Sequence, residues 1–147
     1  VKLREQMPDL QTYTDILNAS RVSRNDLIGE RPTIIHFWSI SCVDCKKRLP
    51  YLVALRDEFK GLLNVIAVHM PRSKEDMDLL TIKQAALKYN LTETILIDDD
   101  HTLTNQFKTR FVPAYYLFDK SGELRHYQSS GSIKMLKKRI VRLLEGR

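Results

Sequence analysis

A chain of 147 residues, 43% hydrophobic and 29% charged, has the length and composition of one soluble domain, residues 1–147, with a sizeable core. No apolar run reaches the roughly 18 residues of a membrane span, and the opening "VKLREQMPDL" has no apolar leader core, so a cytoplasmic protein free of the membrane is expected. The net charge of +6 raises nucleic acid as a partner, but the excess gathers in "KMLKKRIVRLLEGR", where an amphipathic helix leaves cations in solvent; no nucleic-acid role is expected.

In chain order, "LQTYTDILN" alternates loosely and predicts an N-terminal strand. Ser23 and Asp26 have the spacing of a capping box, with Asp in place of Glu. "PTIIHFWS" is dense enough in apolar residues for a buried strand. From Cys42 a helical pattern runs through Leu49, Leu52, Val53, Leu55 and Phe59, and Gly61 ends it. "LLNVIAVHM" predicts a second buried strand. Ser73 is placed to cap a helix carrying Met77, Leu80, Ile82, Ala85, Ala86 and Leu87. "TILID" predicts a third strand, and residues 102–108 a short helix. "AYYLFD", "KSGE" and "LRHYQ" form a hairpin pattern. A last helix starts near Ser132, with Ile133, Leu136, Ile140, Leu143 and Leu144 as its apolar stripe. Alternating strand and helix predict parallel strands with a crossover, and the hairpin adds antiparallel ones: a mixed sheet with helices on both faces.

The only cysteines, Cys42 and Cys45, stand three apart in "SISCVDCKKRLP". Zinc normally takes four protein ligands, or three and a water, and no histidine has finger-like spacing from this pair, so no metal is expected. A disulfide closing so short a loop removes little unfolded-state entropy, which makes a purely structural staple a weak reading. Redox chemistry has a positive argument. Cys42 falls where a helix begins, and the unsatisfied N–H groups and partial positive charge there favour thiolate. Thiolate is the nucleophile in disulfide exchange. Cys45 is one helical turn on, within reach of a disulfide. On this pattern Cys42 is the exposed attacking sulfur and Cys45 the buried resolving one.

"IIHFWSISCVDCKKRLPYL", "FVPAYYLFDKSGELRHY" and the order of elements resemble the TlpA/ResA-like branch of the thioredoxin-fold thiol-disulfide oxidoreductases. The resemblance covers nearly the whole chain. It implies an α/β three-layer sandwich with a mixed central sheet and an N-terminal strand or hairpin extension. It also implies that Cys42 is the nucleophile, that Cys45 resolves, and that Pro113 follows a cis peptide bond from Val112 in a segment facing the cysteines and binding substrate backbone. Pro50 matches the proline that kinks the active-site helix.

Departures from the pattern are informative. Thioredoxins place a buried Asp six residues before the first cysteine, and here that position is His36. An imidazole there is either a base for the Cys45 proton or a core histidine with a satisfied hydrogen bond. Trp immediately before the nucleophile is replaced by Ser41, and the single tryptophan, Trp38, lies on the strand, on the face of His36. Asp44 between the cysteines sets a negative charge against the helix dipole, which disfavours thiolate. Arg48 stands where ResA-like proteins often have Glu. The expected protein is a monomeric, cofactor-free reductase of protein disulfides, recharged by an upstream thiol reductant in the cytosol. The rival readings are the same chemistry on an extracytoplasmic anchor and a non-catalytic interaction module of the same fold.

Overall fold

The computed structural model describes residues 1–129 and 131–146. Its elements run β1 (Asp15–Leu17), a 3-10 turn (Arg24–Asp26), β2 (Thr33–Trp38), α1 (Val43–Glu58), β3 (Asn64–His69), a second 3-10 turn (Lys74–Met77), α2 (Leu79–Lys88), β4 (Thr94–Ile97), α3 (Thr102–Phe107), β5 (Ala114–Phe118), β6 (Leu124–Gln128) and α4 (Ile133–Leu144). One sheet takes the order β1-β4-β3-β2-β5-β6. β3 runs parallel to β2 and β4, while β1, β5 and β6 are antiparallel to their neighbours. None of the described helices is long and apolar enough to cross a membrane.

β2 is buried at every position because it is central and covered on both faces. Ile34 and Trp38 join the core built with α1, α2 and α4, through Leu49, Leu52, Ile82, Ala86, Leu136 and Ile140. Ile35 and Phe37 turn to the opposite core, with Leu103 and Phe107 of α3 and with Met7 and Leu10 of the N-terminal segment. There Phe37, Phe107, Tyr116 and Phe118 meet edge to face, with centroids 5.1–6.2 Å apart, an arrangement that aromatic quadrupoles favour.

The N-terminal segment is a strap rather than a hairpin. Near its start the Arg4 and Met7 N–H groups donate to the Leu124 and Gly122 carbonyls, at 2.8 Å each, beside β6. It then crosses the α3 face, burying Met7 and Leu10, and ends as β1 against β4. β1 is three residues long, much shorter than its alternation predicts.

The capping-box reading of Ser23 and Asp26 holds, on a 3-10 turn, with the Ser23 N–H donating to Asp26 Oδ2 at 2.8 Å. One local reading needs correction. The helix expected from Ser73 is two elements. Asp78 is extended (φ −70°, ψ 104°), so the turn stops at Met77 and α2 restarts at Leu79. That break turns Asp76 inward and leaves Met77, Leu80 and Leu87 exposed, so only Ile82 and Ala86 of the predicted stripe are fully buried. α4 starts as expected, with the Ser132 hydroxyl accepting from the Met135 N–H at 3.2 Å. Its buried stripe is Ile133, Leu136 and Ile140.

Candidate active site

The site lies at the C-terminal end of β2, where residues 39–41 carry the chain into α1. Each of the three is tied to the end of β3 or the turn after it. The Ser39 hydroxyl donates to the Met70 carbonyl, the Ile40 N–H to His69 Nε2 at 3.1 Å, and the Ser41 hydroxyl to Asp76 Oδ2 at 2.7 Å. The same carboxylate oxygen accepts from the Arg72 N–H at 2.8 Å. The Arg72 side chain folds back, its Nε donating to Ser41 Oγ at 3.1 Å and its Nη2 to the Ser41 carbonyl at 2.7 Å. Ser41 thus becomes the tie between the loop and its neighbour.

This clamp presents Cys42 as the N-cap of α1, with extended backbone (φ −88°, ψ 107°). Cys42 and Cys45 form a disulfide with Cα atoms 5.2 Å apart. The Cys45 N–H donates to Cys42 Sγ at 3.0 Å, so the sulfur takes the place of a capping oxygen. In the reduced protein the same N–H and the helix N-terminus favour charge on Cys42. The peptide bond from Val112 to Pro113 is cis, and the Val112 carbonyl oxygen lies 3.7 Å from Cys42 Sγ. Cys42 is less open than the sequence suggests. In the oxidised form it is 3% exposed, against 1% for Cys45, because its sulfur is tucked against the Val112 carbonyl. Its neighbours Ser41, Val43 and Asp44 are exposed. Asp44 lies in the first turn of α1, and its carboxylate has no partner among the described residues. Pro50 lies inside α1, as expected.

Trp38 is 1% exposed, and its ring meets that of His69 edge to face at 5.0 Å. His69, across from Trp38 on β3, did not stand out in the sequence. Burial pushes its imidazole down to about 4, although the Asp76 carboxylate pulls the other way. Its Nε2 accepts from Ile40, so the proton sits on Nδ1, which is buried without a partner among the described residues. Unfolding releases this ring to titrate normally. Between pH 6.5 and about 4 the unfolded chain binds a proton that the folded one refuses, so stability falls as pH falls through that window. We expect a loss on the order of 3 kcal/mol across it. In urea titrations at pH 7, 5.5 and 4.5, His69→Gln, which keeps an acceptor for Ile40, should flatten this slope; an unchanged slope would assign the acid sensitivity elsewhere.

His36 is buried under the sheet, on the face of Trp38. Its Nε2 meets Glu93 Oε2 at 2.7 Å, and Glu93 Oε1 meets Arg56 Nη1 at 2.6 Å. Burial alone would raise the Glu93 carboxyl, but the hydrogen bond and charge of His36, and then the bond from Arg56, hold it below its ordinary range. A carboxylate only accepts, so His36 Nε2 carries its proton toward Glu93, the satisfied hydrogen bond that the core-histidine reading expects. Arg48 lies close enough to Tyr115 for its charge to oppose, without reversing, the burial that pushes the phenol up to about 12.

A disulfide between i and i+3 at a helix start, capped by its own helix and faced by a cis-proline segment on this sheet, defines a thiol-disulfide oxidoreductase of the thioredoxin fold. The chain belongs to the AhpC/TSA family, whose profile matches residues 3–127. It is 51% identical to the thiol-disulfide oxidoreductase YkuV of Bacillus subtilis, over 98% of this chain and 97% of that one. The thiol-disulfide oxidoreductase ResA of Geobacillus kaustophilus is 28% identical over 76% of this chain and 60% of its own. The solution structure of a thioredoxin-like protein in the oxidised form superimposes with a TM-score of 0.91 at 50% identity, covering 99% of each chain.

Proposed function

We propose that this chain is a monomeric cytosolic reductant of protein disulfides, recharged by an upstream thiol. The Cys42 thiolate attacks one sulfur of a substrate disulfide, and the other sulfur leaves as a thiolate. The Cys45 thiol loses its proton to solvent and attacks Cys42 Sγ. The mixed disulfide breaks, the second substrate sulfur departs reduced, and the enzyme is left with the Cys42–Cys45 disulfide. Two electrons pass to the substrate in the dithiol, and no cofactor carries them. The observation that carries the assignment is the 3.0 Å hydrogen bond from the Cys45 N–H to Cys42 Sγ at the head of α1, which makes Cys42 the better thiolate of the two. The cis Val112–Pro113 segment supplies the facing backbone for substrate.

The direction of electron flow follows from charge. The exposed Asp44 beside Cys42 disfavours the thiolate that would stabilise the dithiol form, and so favours giving electrons away, against the opposite pull of the Arg72 guanidinium on Ser41. Equilibration with glutathione buffers is expected to place the potential near the roughly −270 mV of thioredoxin and far from the roughly −120 mV of DsbA. A value above the roughly −180 mV of protein disulfide isomerase would overturn the reductase direction.

A further inference from the structure

Arg72 is exposed, yet its guanidinium is held in place on the residue before the nucleophile. Its Nε and Nη2 both bind Ser41, the residue before Cys42, at 3.1 and 2.7 Å, and its backbone N–H is pinned by Asp76 at 2.8 Å. Asp76 is 2% exposed and also receives the Ser41 hydroxyl, so the anchor beneath the cation is buried and doubly bonded. A surface arginine ordinarily loses much of its side-chain freedom when it binds an anion. Here the fold has already removed that freedom, which is the condition under which an exposed contact gains affinity.

The fixed edge of the guanidinium leaves donors unused. Nη1 makes no hydrogen bond among the described residues, and no carboxylate pairs with the Arg72 side chain there. Arg56 and Arg125, by contrast, are engaged by Glu93 and Asp119. The carboxylate bound most closely to this segment, that of Asp76, is spent on the Arg72 backbone and on Ser41 rather than on the guanidinium. A planar donor edge held on the residue before the attacking cysteine, with no internal anion to occupy it, matches the geometry by which arginine recognises carboxylates.

We propose that Arg72 is a specificity-determining residue that receives a carboxylate next to the substrate half-cystine, so that the preferred substrates are disulfides with an acidic residue beside the attacked sulfur. The proposal rests on the disulfide-reductase reading and deepens it. Attack by Cys42 brings the substrate chain alongside Ser41, within reach of a guanidinium bonded to that residue. The contact lies at an exposed rim, so its effect is modest and screened by salt.

The test uses the full chain and three synthetic peptides that share one disulfide and differ only in the residue beside the half-cystine: Glu, Gln or Lys. kcat/KM for Glu over Gln is expected at about threefold, with Lys lowest, and 0.5 M salt should compress the spread. Arg72→Gln should level the three peptides, read as the ratio of their kcat/KM values so that any loss common to all three through the Ser41 clamp cancels. Arg72→Lys should restore part of the preference, because a charge returns without the planar fork. A wild-type enzyme that reduces all three equally, or an Arg72→Gln variant that keeps the preference, would overturn the proposal and leave the reductase reading standing. Failure of the wild type to reduce any of the three would instead bring down the reductase reading, and this proposal with it.

Discussion

Cys42→Ser is expected to lower disulfide reduction by a factor of about 1000 or more, because the thiol that remains, Cys45, is buried in the core. Cys45→Ser should fail differently. It keeps the attacking sulfur at the head of α1 but removes the resolving one, so a substrate mixed disulfide on Cys42 should accumulate and be visible as an adduct by intact mass spectrometry. The asymmetry has a structural source. Cys42 is bounded by exposed Ser41 and Val43 and carries the helix-capping hydrogen bond, whereas Cys45 lies one turn inside the core with Leu49 and Leu52. Limiting iodoacetamide on the reduced wild type should therefore label Cys42 first. Preferential labelling of Cys45, or an adduct on Cys42→Ser, would reverse the assigned roles.

The second large effect is on stability and centres on Glu93. Its side chain is 4% exposed and sits between His36, 1% exposed, and Arg56, 13% exposed. Removing the central anion leaves the buried His36 N–H without its acceptor and takes from the partly buried Arg56 its shortest ion pair, with the Asn90 carbonyl and Asp57 remaining. Glu93→Leu is expected to cost about 3–5 kcal/mol in equilibrium denaturation, as for other broken buried pairs. His36→Asn should cost less, since Arg56 still neutralises Glu93, and in stopped-flow kinetics it should leave resolution of the mixed disulfide at the wild-type rate. A slowed resolving step in a folded His36→Asn protein would restore the histidine as a base. The Glu93 carboxyl is held below its ordinary range in the folded state. Its contribution is therefore present above the unfolded carboxyl pKa and is lost as pH falls through the folded one. Glu93→Leu should accordingly be less acid-sensitive than wild type, besides being weaker at neutral pH.

Much of this fold could be read from one chain because its signals are local. β2 and β3 are dense apolar runs, α4 carries a period of three and four after Ser132, and the paired cysteines closely follow a buried strand. What escaped the sequence are partnerships between distant positions. His36 finds Glu93 57 residues on, and Ser41 finds Asp76 35 residues on. An isolated Glu or Asp in a polar stretch reads as solvent-facing, and only the sheet order, which draws the chain before β4 and the turn after β3 toward β2, reveals it as buried. The break at Asp78 was missed for the opposite reason: Met77, Leu80 and Leu87 supplied an apolar period that the structure leaves in water. The cis bond before Pro113 was legible only through family resemblance, since proline alone strongly favours trans.

The strap formed by residues 1–17 has a colloidal consequence. A sheet of six strands ends in two edges, each a row of backbone groups able to pair with another molecule. The strap's start occupies the margin beside β6 through Arg4 and Met7, and its end places β1 along β4, which would otherwise present the apolar run Ile95–Leu96–Ile97 as a pairing template. Between those points Met7 and Leu10 roof the aromatic core. One short, mostly polar segment thus covers the β4 edge, the start of the β6 edge and one face of the sheet against self-association.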